Sequence, residues 1–215
     1  SVASVANVRS FATTAARLAE ANTCVERLPS VRRSRAAPQI ESPSPGRARE
    51  GVRKATEWRE TFDQVEKKYQ VERWIILAIW GMETSYGADK DKWDVIRSLV
   101  TLAHANYRHP YFRNELLVAL KILQEGHVAR DKFVSSWAGA MGQTQFMPSN
   151  FFDFAVDFSG DGKRDIWNNV PDVVASTANY FRKEGWQFGL PWGFEVSLPD
   201  GFDYRRSRAS FAEWT

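Results

Sequence analysis

The chain contains a single cysteine, Cys24, which excludes an internal disulfide framework and any cysteine-based zinc site. Long apolar runs are also missing: the longest, Trp74 to Met82, is about half of the roughly 18 residues that a membrane helix needs. Charge of one sign is scarce. Lys and Arg number 29 against 26 Asp and Glu, and a net +3 does not by itself imply a nucleic-acid partner. Period-two alternation appears only weakly, at residues 194–198, and internal repeats are absent, so neither a β fold nor a solenoid is expected. Hydrophobic residues make up 43% and charged residues 26%, which is ordinary globular usage and excludes wholesale disorder. At 215 residues the chain suits one medium domain, or one domain plus an extension. What it has in excess is aromatics: nine Trp, fourteen Phe and six Tyr. These make large cores, and they also make floors on which sugars stack.

Composition changes along the chain. Residues 1–50 carry eight arginines, Arg9 through Arg49, with Pro29, Pro38, Pro43 and Pro45 and few apolar residues. They read as a poorly packed arm, or as a basic arm for an anionic partner. Residues 10–21 suit a short Ala-rich helix and residues 38–46 a linker. The chain begins Ser-Val-Ala with no signal segment in view, which reads as a processed start or a fragment. Cys24 lacks the preceding apolar segment of a lipid-anchor cysteine.

From about Gly51 the pattern is helical. Trp58, Phe62, Val65 and Tyr69 fall on one helix face. A dense apolar segment runs from Glu72 to Thr84. Asp94 stands as a cap before Val95, Ile96, Leu99, Leu102 and Ala103. Pro110 precedes a core stripe of Phe112, Leu116, Ala119, Leu120 and Leu123, stopped by Gly126. Pro148 and Pro171 each open a further helix. The expectation is an all-α domain over residues 51–190, with about six helices and glycine-rich loops at 136–145 and 159–163.

Glu83 is the residue on the wrong face. Ile75, Ile79 and Glu83 are spaced i, i+4, i+8, so a carboxylate shares a stripe with two isoleucines at the end of an apolar helix. An unpaired anion there is costly, and the negative end of the helix dipole adds to the cost. Both effects favour the neutral acid, so a raised pKa is expected with desolvation as the larger cause. Such a group suits general acid catalysis on a glycosidic oxygen. The plainer alternative is a Glu paired with an Arg or Lys at a helix end.

The segment Gly81-Met82-Glu83-Thr84-Ser85-Tyr86-Gly87 resembles the catalytic segment of lytic murein transglycosylases of the membrane-bound lytic transglycosylase B family. The resemblance continues through Ser136-Trp137-Ala138-Gly139-Ala140-Met141-Gly142-Gln143-Thr144-Gln145-Phe146-Met147-Pro148-Ser149, then Asp157 to Gly162, and Ala178-Asn179-Tyr180-Phe181 with Gly185-Trp186. It implies a lysozyme-like α fold acting on bacterial cell-wall glycan. It implies Glu83 as the single catalytic acid and base, with Ser136, Gln145, Tyr111 and Tyr180 as substrate-binding residues in the cleft. It also implies non-hydrolytic cleavage between N-acetylmuramic acid and N-acetylglucosamine, with no metal or organic cofactor for bond breaking. The partner is then the peptidoglycan strand, met by a monomer in the periplasm or cell envelope, with no nucleic acid and no transmembrane segment in this chain.

A second acid is not evident nearby. Asp89, Asp91 and Asp94 read as surface positions in a lysine-containing loop. Asp157, Ser159, Asp161, Lys163 through its carbonyl, and Asp165 follow the spacing of an EF-hand loop, with Gly162 at the turn. Position twelve is Asn168, and Asp172 is the candidate closing carboxylate. The loop reads as a structural site for calcium or another hard cation, or as an Asp-Gly turn held by hydrogen bonds alone.

Two stretches depart from the resemblance. Residues 1–50 lack the expected aromatic-rich segment, and residues 191–215 read as the start of a truncated C-terminal stretch, without a Tyr-Asn pair after Tyr180. A lysozyme-like hydrolase, or a non-catalytic glycan-binding fragment, therefore stands as the alternative.

Overall fold

The computed structural model describes residues 45–190 and Gly201. Among the described residues seven α-helices follow one another: α1 (Pro45–Glu57), α2 (Arg59–Tyr69), α3 (Arg73–Thr84), α4 (Val95–His104), α5 (Tyr111–Gln124), α6 (Pro148–Phe154) and α7 (Val170–Lys183). Two-residue strands β1 (Trp93–Asp94) and β2 (Val134–Ser135) pair antiparallel, Trp93 opposite Ser135. The expected all-α architecture is found. The helix expected at 10–21, Cys24, the strand pattern at 194–198 and the C-terminal stretch lie outside the described residues, apart from Gly201.

The helices sort into two packed groups. Phe62 and Val65 of α2, Ile76 and Trp80 of α3, and Val173 and Val174 of α7 form one core. Leu99 of α4, Phe112 and Ile122 of α5, Phe133, Phe151 of α6 and Ile166 form the other. Tyr180 of α7 packs against both. Local signals work where they were read: the Asp94 carboxylate accepts from the Arg97 amide at 2.8 Å, and Pro148 stands in the first turn of α6.

Helix α1 shows no apolar stripe in its sequence, because it docks through small residues. Gly51 and Gly81 leave room for the Tyr86 ring, whose hydroxyl donates to the Arg47 carbonyl at 2.9 Å. A Cβ at either glycine would come within 2.6 Å of that ring.

Helix α5 turns a different face inward from the one expected. Phe112, Glu115, Ala119 and Ile122 are buried, Leu116 and Leu123 are half-buried, and Leu120 is exposed. The residue that decides the phase is polar. Glu115 is only 3% exposed, and its carboxylate accepts from both the backbone amide and the hydroxyl of Ser149, each at 2.8 Å. It thereby caps the first turn of α6, so a satisfied carboxylate takes the place of a leucine in the interior.

Helix α3 is less enclosed than its apolarity suggests. Trp74 and Met82 are 59% and 70% exposed, and with Ala78 they form an outward stripe beside the half-buried Ile75, Ile79 and Glu83.

Candidate active site around the end of helix α3

Glu83 is the next-to-last residue of α3, and desolvation pushes its carboxyl up to about 7. Among the described residues no hydrogen bond or ion pair reaches it, so a salt-bridged end-of-helix Glu is not what this geometry holds. The chain then turns sharply. Ser85, Tyr86 and Gly87 have φ of 49°, 61° and 78°, three successive left-handed residues, two of them not glycine. The turn is closed by backbone bonds from Ser85 to the Gly81 carbonyl and from Tyr86 to the Trp80 carbonyl. Gly87 is required for space as well as for its φ, since a Cβ there would lie 2.2 Å from Gln143 Oε1.

Gln143 holds the loop between β2 and α6 against this turn. Its Oε1 accepts from Trp80 Nε1 at 2.7 Å, its Nε2 donates to the Trp167 carbonyl at 2.9 Å, and its own carbonyl accepts from the Thr84 hydroxyl at 2.7 Å. The sequence offered two nearby glutamines and no means of telling which faces inward. The tertiary structure turns Gln143 into the core and leaves Gln145 partly exposed.

Ser136 and Gln145 stand on that same loop. The Ser136 hydroxyl accepts from the Ala140 amide at 3.1 Å, and backbone bonds between Ser136 and Ala140 and between Met141 and Phe146 shape the loop into a compact double turn. Tyr180 of α7 contacts the ring of Phe146, the neighbour of Gln145, with centroids 6.0 Å apart, and that of Phe154 at 4.6 Å. Tyr111 stands 38% exposed in the first turn of α5, its ring beside Phe112 and under the Arg108 guanidinium. The structure thus ties Ser136, Gln145 and Tyr180 to one loop docked on the end of α3. Tyr111 sits on the other helical group.

The reading of Asp91 as a surface residue needs correction. Asp91 is half-buried, and desolvation raises its carboxyl to about 6 against the opposing hydrogen bonds from Gln145 and the Gly142 backbone. With Thr84, Gly87, Gly142, Gln143 and Trp167 it lines a cavity of about 340 Å³. Asp89 is exposed and accepts from the Ser85 hydroxyl at 2.6 Å, and Asp94 is the cap of α4.

The EF-hand-like loop lies apart, between α6 and α7. Oxygens of Asp157, Asp161 and Asp172 come within 4.8 Å of one another. Asp172 is fully buried and receives the Phe158 and Ser159 amides at 2.9 Å and the Asp165 amide at 3.0 Å. Desolvation opposes ionisation of Asp157, but the Gly162, Gly160 and Asp161 amides outweigh it and hold its carboxyl below the usual range. Ser159 accepts from Asn169 Nδ2, and the Lys163 amide donates to Asp161. Asp165 stands outside that group of three, its carboxylate accepting from the Trp167 and Asn168 amides. An all-oxygen donor set drawn from three carboxylates fits a hard cation.

Residues 38–215 match the model of the transglycosylase SLT domain. The chain is 35% identical over 176 residues to membrane-bound lytic murein transglycosylase B of Escherichia coli K12, covering 79% of this chain and 48% of that protein. The fold matches SltB3 of Pseudomonas aeruginosa, solved in complex with NAG-anhNAM-pentapeptide, at TM-score 0.70 and 49% identity, over 75% of this chain and 43% of that one. It matches Escherichia coli Slt35, solved in complex with calcium, at TM-score 0.64 and 35% identity, over 68% of this chain and 47% of that one. The chain spans about half the length of these relatives or less. Among its described residues no helix is long and apolar enough to cross a membrane. By this match, and by the sequence blocks that surround Glu83, the chain belongs to the transglycosylase SLT domain family.

Proposed function

We propose that this chain is a lytic transglycosylase that cleaves the β-1,4 bond between N-acetylmuramic acid and N-acetylglucosamine in peptidoglycan, without water, with Glu83 as its single acid and base. The observation that carries the reading is the unpaired, desolvated carboxyl of Glu83, pushed up to about 7 and so still partly protonated at neutral pH, at the end of α3. A relative of 49% identity bound to NAG-anhNAM-pentapeptide supports the substrate class.

The steps balance with no added reactant. Glu83 gives its proton to the bridging oxygen as the bond from that oxygen to C1 of the muramyl sugar breaks. The N-acetylglucosamine leaves with a new hydroxyl. The 6-hydroxyl of the muramyl sugar then bonds to C1, and its proton returns to the Glu83 carboxylate. The attacking oxygen belongs to the same sugar, so the ring closure is intramolecular and needs no positioned water. Ser136, Gln145, Tyr111 and Tyr180 serve as substrate-binding residues: a hydroxyl and an amide bond sugar groups without adding charge, and tyrosines add a face and a hydroxyl. Asp157, Asp161 and Asp172, with Ser159 and the Lys163 carbonyl, form a structural site for calcium that takes no part in the chemistry. The substrate places the protein in the periplasm or cell envelope.

Mass spectrometry of fragments released from purified murein tests this reading. Anhydro ends are the expected product, lost with Glu83→Gln. Reducing ends would make the protein a hydrolase, and binding without release would make it a glycan-binding module.

A further inference from the structure

Gln145 is the family-matched cleft residue whose setting the sequence left blank. Its backbone is in the left-handed region, φ 55°, at the end of a turn in which its amide donates to the Gly142 carbonyl. The backbone therefore fixes where the side chain starts. The side-chain amide nitrogen is then fully used. Nε2 donates to the Gly142 carbonyl at 2.9 Å and to both oxygens of Asp91 at 3.2 and 3.3 Å. With Asp91 ionised, above about pH 6, all three partners are acceptors only, so the orientation of the amide follows from chemistry: reversed, its oxygen would face a carboxylate and a carbonyl. Among the described residues nothing donates to Gln145 Oε1, on a side chain that is partly exposed.

We propose that Asp91 is a positioning residue that locks the Gln145 side chain with its carbonyl oxygen directed to substrate, so that this position accepts a hydrogen bond from a sugar hydroxyl or an acetamido N–H and does not donate one. The inference rests on the reading of Gln145 as a substrate-binding residue. Asp91 touches no reacting atom; it holds the Gln145 side chain and, through the Gly142 backbone, the turn that carries it. Without Asp91 one amide proton loses its partner and only the bond to the Gly142 carbonyl still opposes reversal, so the amide turns more readily and a donor can then meet the substrate's own donor. Half-burial matters here, because a carboxylate in open water would be a poor competitor for the amide. The expected loss is that of one oriented hydrogen bond, about tenfold in affinity.

The test uses the whole chain in the Glu83→Gln background, where binding is read without turnover, with a β-1,4 tetramer of N-acetylglucosamine as probe in a calorimeter. Asp91→Ala and Gln145→Ala should each weaken binding about tenfold, and the double variant should lose little beyond either alone. Asp91→Asn, which keeps an acceptor oxygen, should recover most of the affinity. In ¹H–¹⁵N spectra the Gln145 side-chain amide signals should move in Asp91→Ala, with the heat-unfolding midpoint close to that of the parent. Unchanged affinity in Asp91→Ala, multiplying losses in the double variant, immobile Gln145 signals, or a parent that does not bind the tetramer would each overturn the proposal. The lysis reading fails separately, if unsubstituted protein releases no anhydro fragments while the Asp91 effect on tetramer binding persists.

Discussion

The hydroxyl of Thr84 donates to the backbone carbonyl of Gln143 at 2.7 Å, joining the residue after the proposed acid to a loop 59 positions further along the chain. That bond and the one from Trp80 Nε1 to Gln143 Oε1 couple the end of α3 to the loop that carries Ser136 and Gln145. Neither group at the joint is charged, and among the described residues desolvation alone sets the Glu83 shift.

Glu83→Gln removes the proton donor and keeps the shape. General acid–base groups contribute roughly a hundredfold to ten-thousandfold in rate, so lysis of cell-wall suspensions should fall at least about a hundredfold with helix content unchanged. Equal lysis by both proteins would refute the assignment.

The raised carboxyl also sets the sign of a stability effect. Folded Glu83 holds its proton up to about pH 7, whereas the unfolded chain releases it near the ordinary value of 4.5. The folded state therefore binds the extra proton between these values, and stability falls as pH rises through that window. The loss is at most about 3 kcal/mol. Glu83→Gln should lose this part of the slope and keep the smaller part that Asp91, raised to about 6, contributes, so urea titrations at pH 4.5 and 7.5 should show the variant gaining on the parent. Turnover at limiting substrate should decline above about pH 7 as the acid form is lost.

Gln143 satisfies two buried partners that leucine cannot. Gln143→Leu strands the Trp80 indole nitrogen and the Trp167 carbonyl, at about 1–3 kcal/mol each. Gly87→Ala meets the same side chain at 2.2 Å with an unfavourable φ of 78°, and should lower the unfolding midpoint as well. A midpoint matching the parent in both variants would contradict the coupling of loop and helix.

Glu115→Ala uncaps α6 from the neighbouring helix. Two hydrogen bonds from Ser149 to a buried carboxylate are lost, for about 2 kcal/mol. Ser149→Ala should cost less, since the backbone amide keeps its partner. A double-mutant cycle should show the two effects to be non-additive.

Calcium should raise the unfolding midpoint, and a chelator should return it to the starting value. Asp161→Asn should abolish the response at modest cost, because Asp161 is exposed. Asp172→Asn should destabilise the chain even without calcium, since that carboxylate takes three backbone amides. Identical midpoints with calcium and with chelator would remove the metal from the proposal.

Short-range signals in the sequence marked the local elements and singled out Glu83 as the candidate acid. Prolines and Asp94 marked helix starts, and an isoleucine stripe ending in a carboxylate marked Glu83, because these signals act within a turn or two of chain. The sequence did not determine what only packing decides. Helix α1 docks through glycine and alanine, so no apolar period announced it. The buried face of α5 is selected by Glu115 meeting Ser149. Gln143 and Gln145 look alike in the chain and differ only because one meets an indole and the other meets Asp91. A polar side chain is silent in a linear pattern until its partner, tens of residues away, is brought within hydrogen-bond reach.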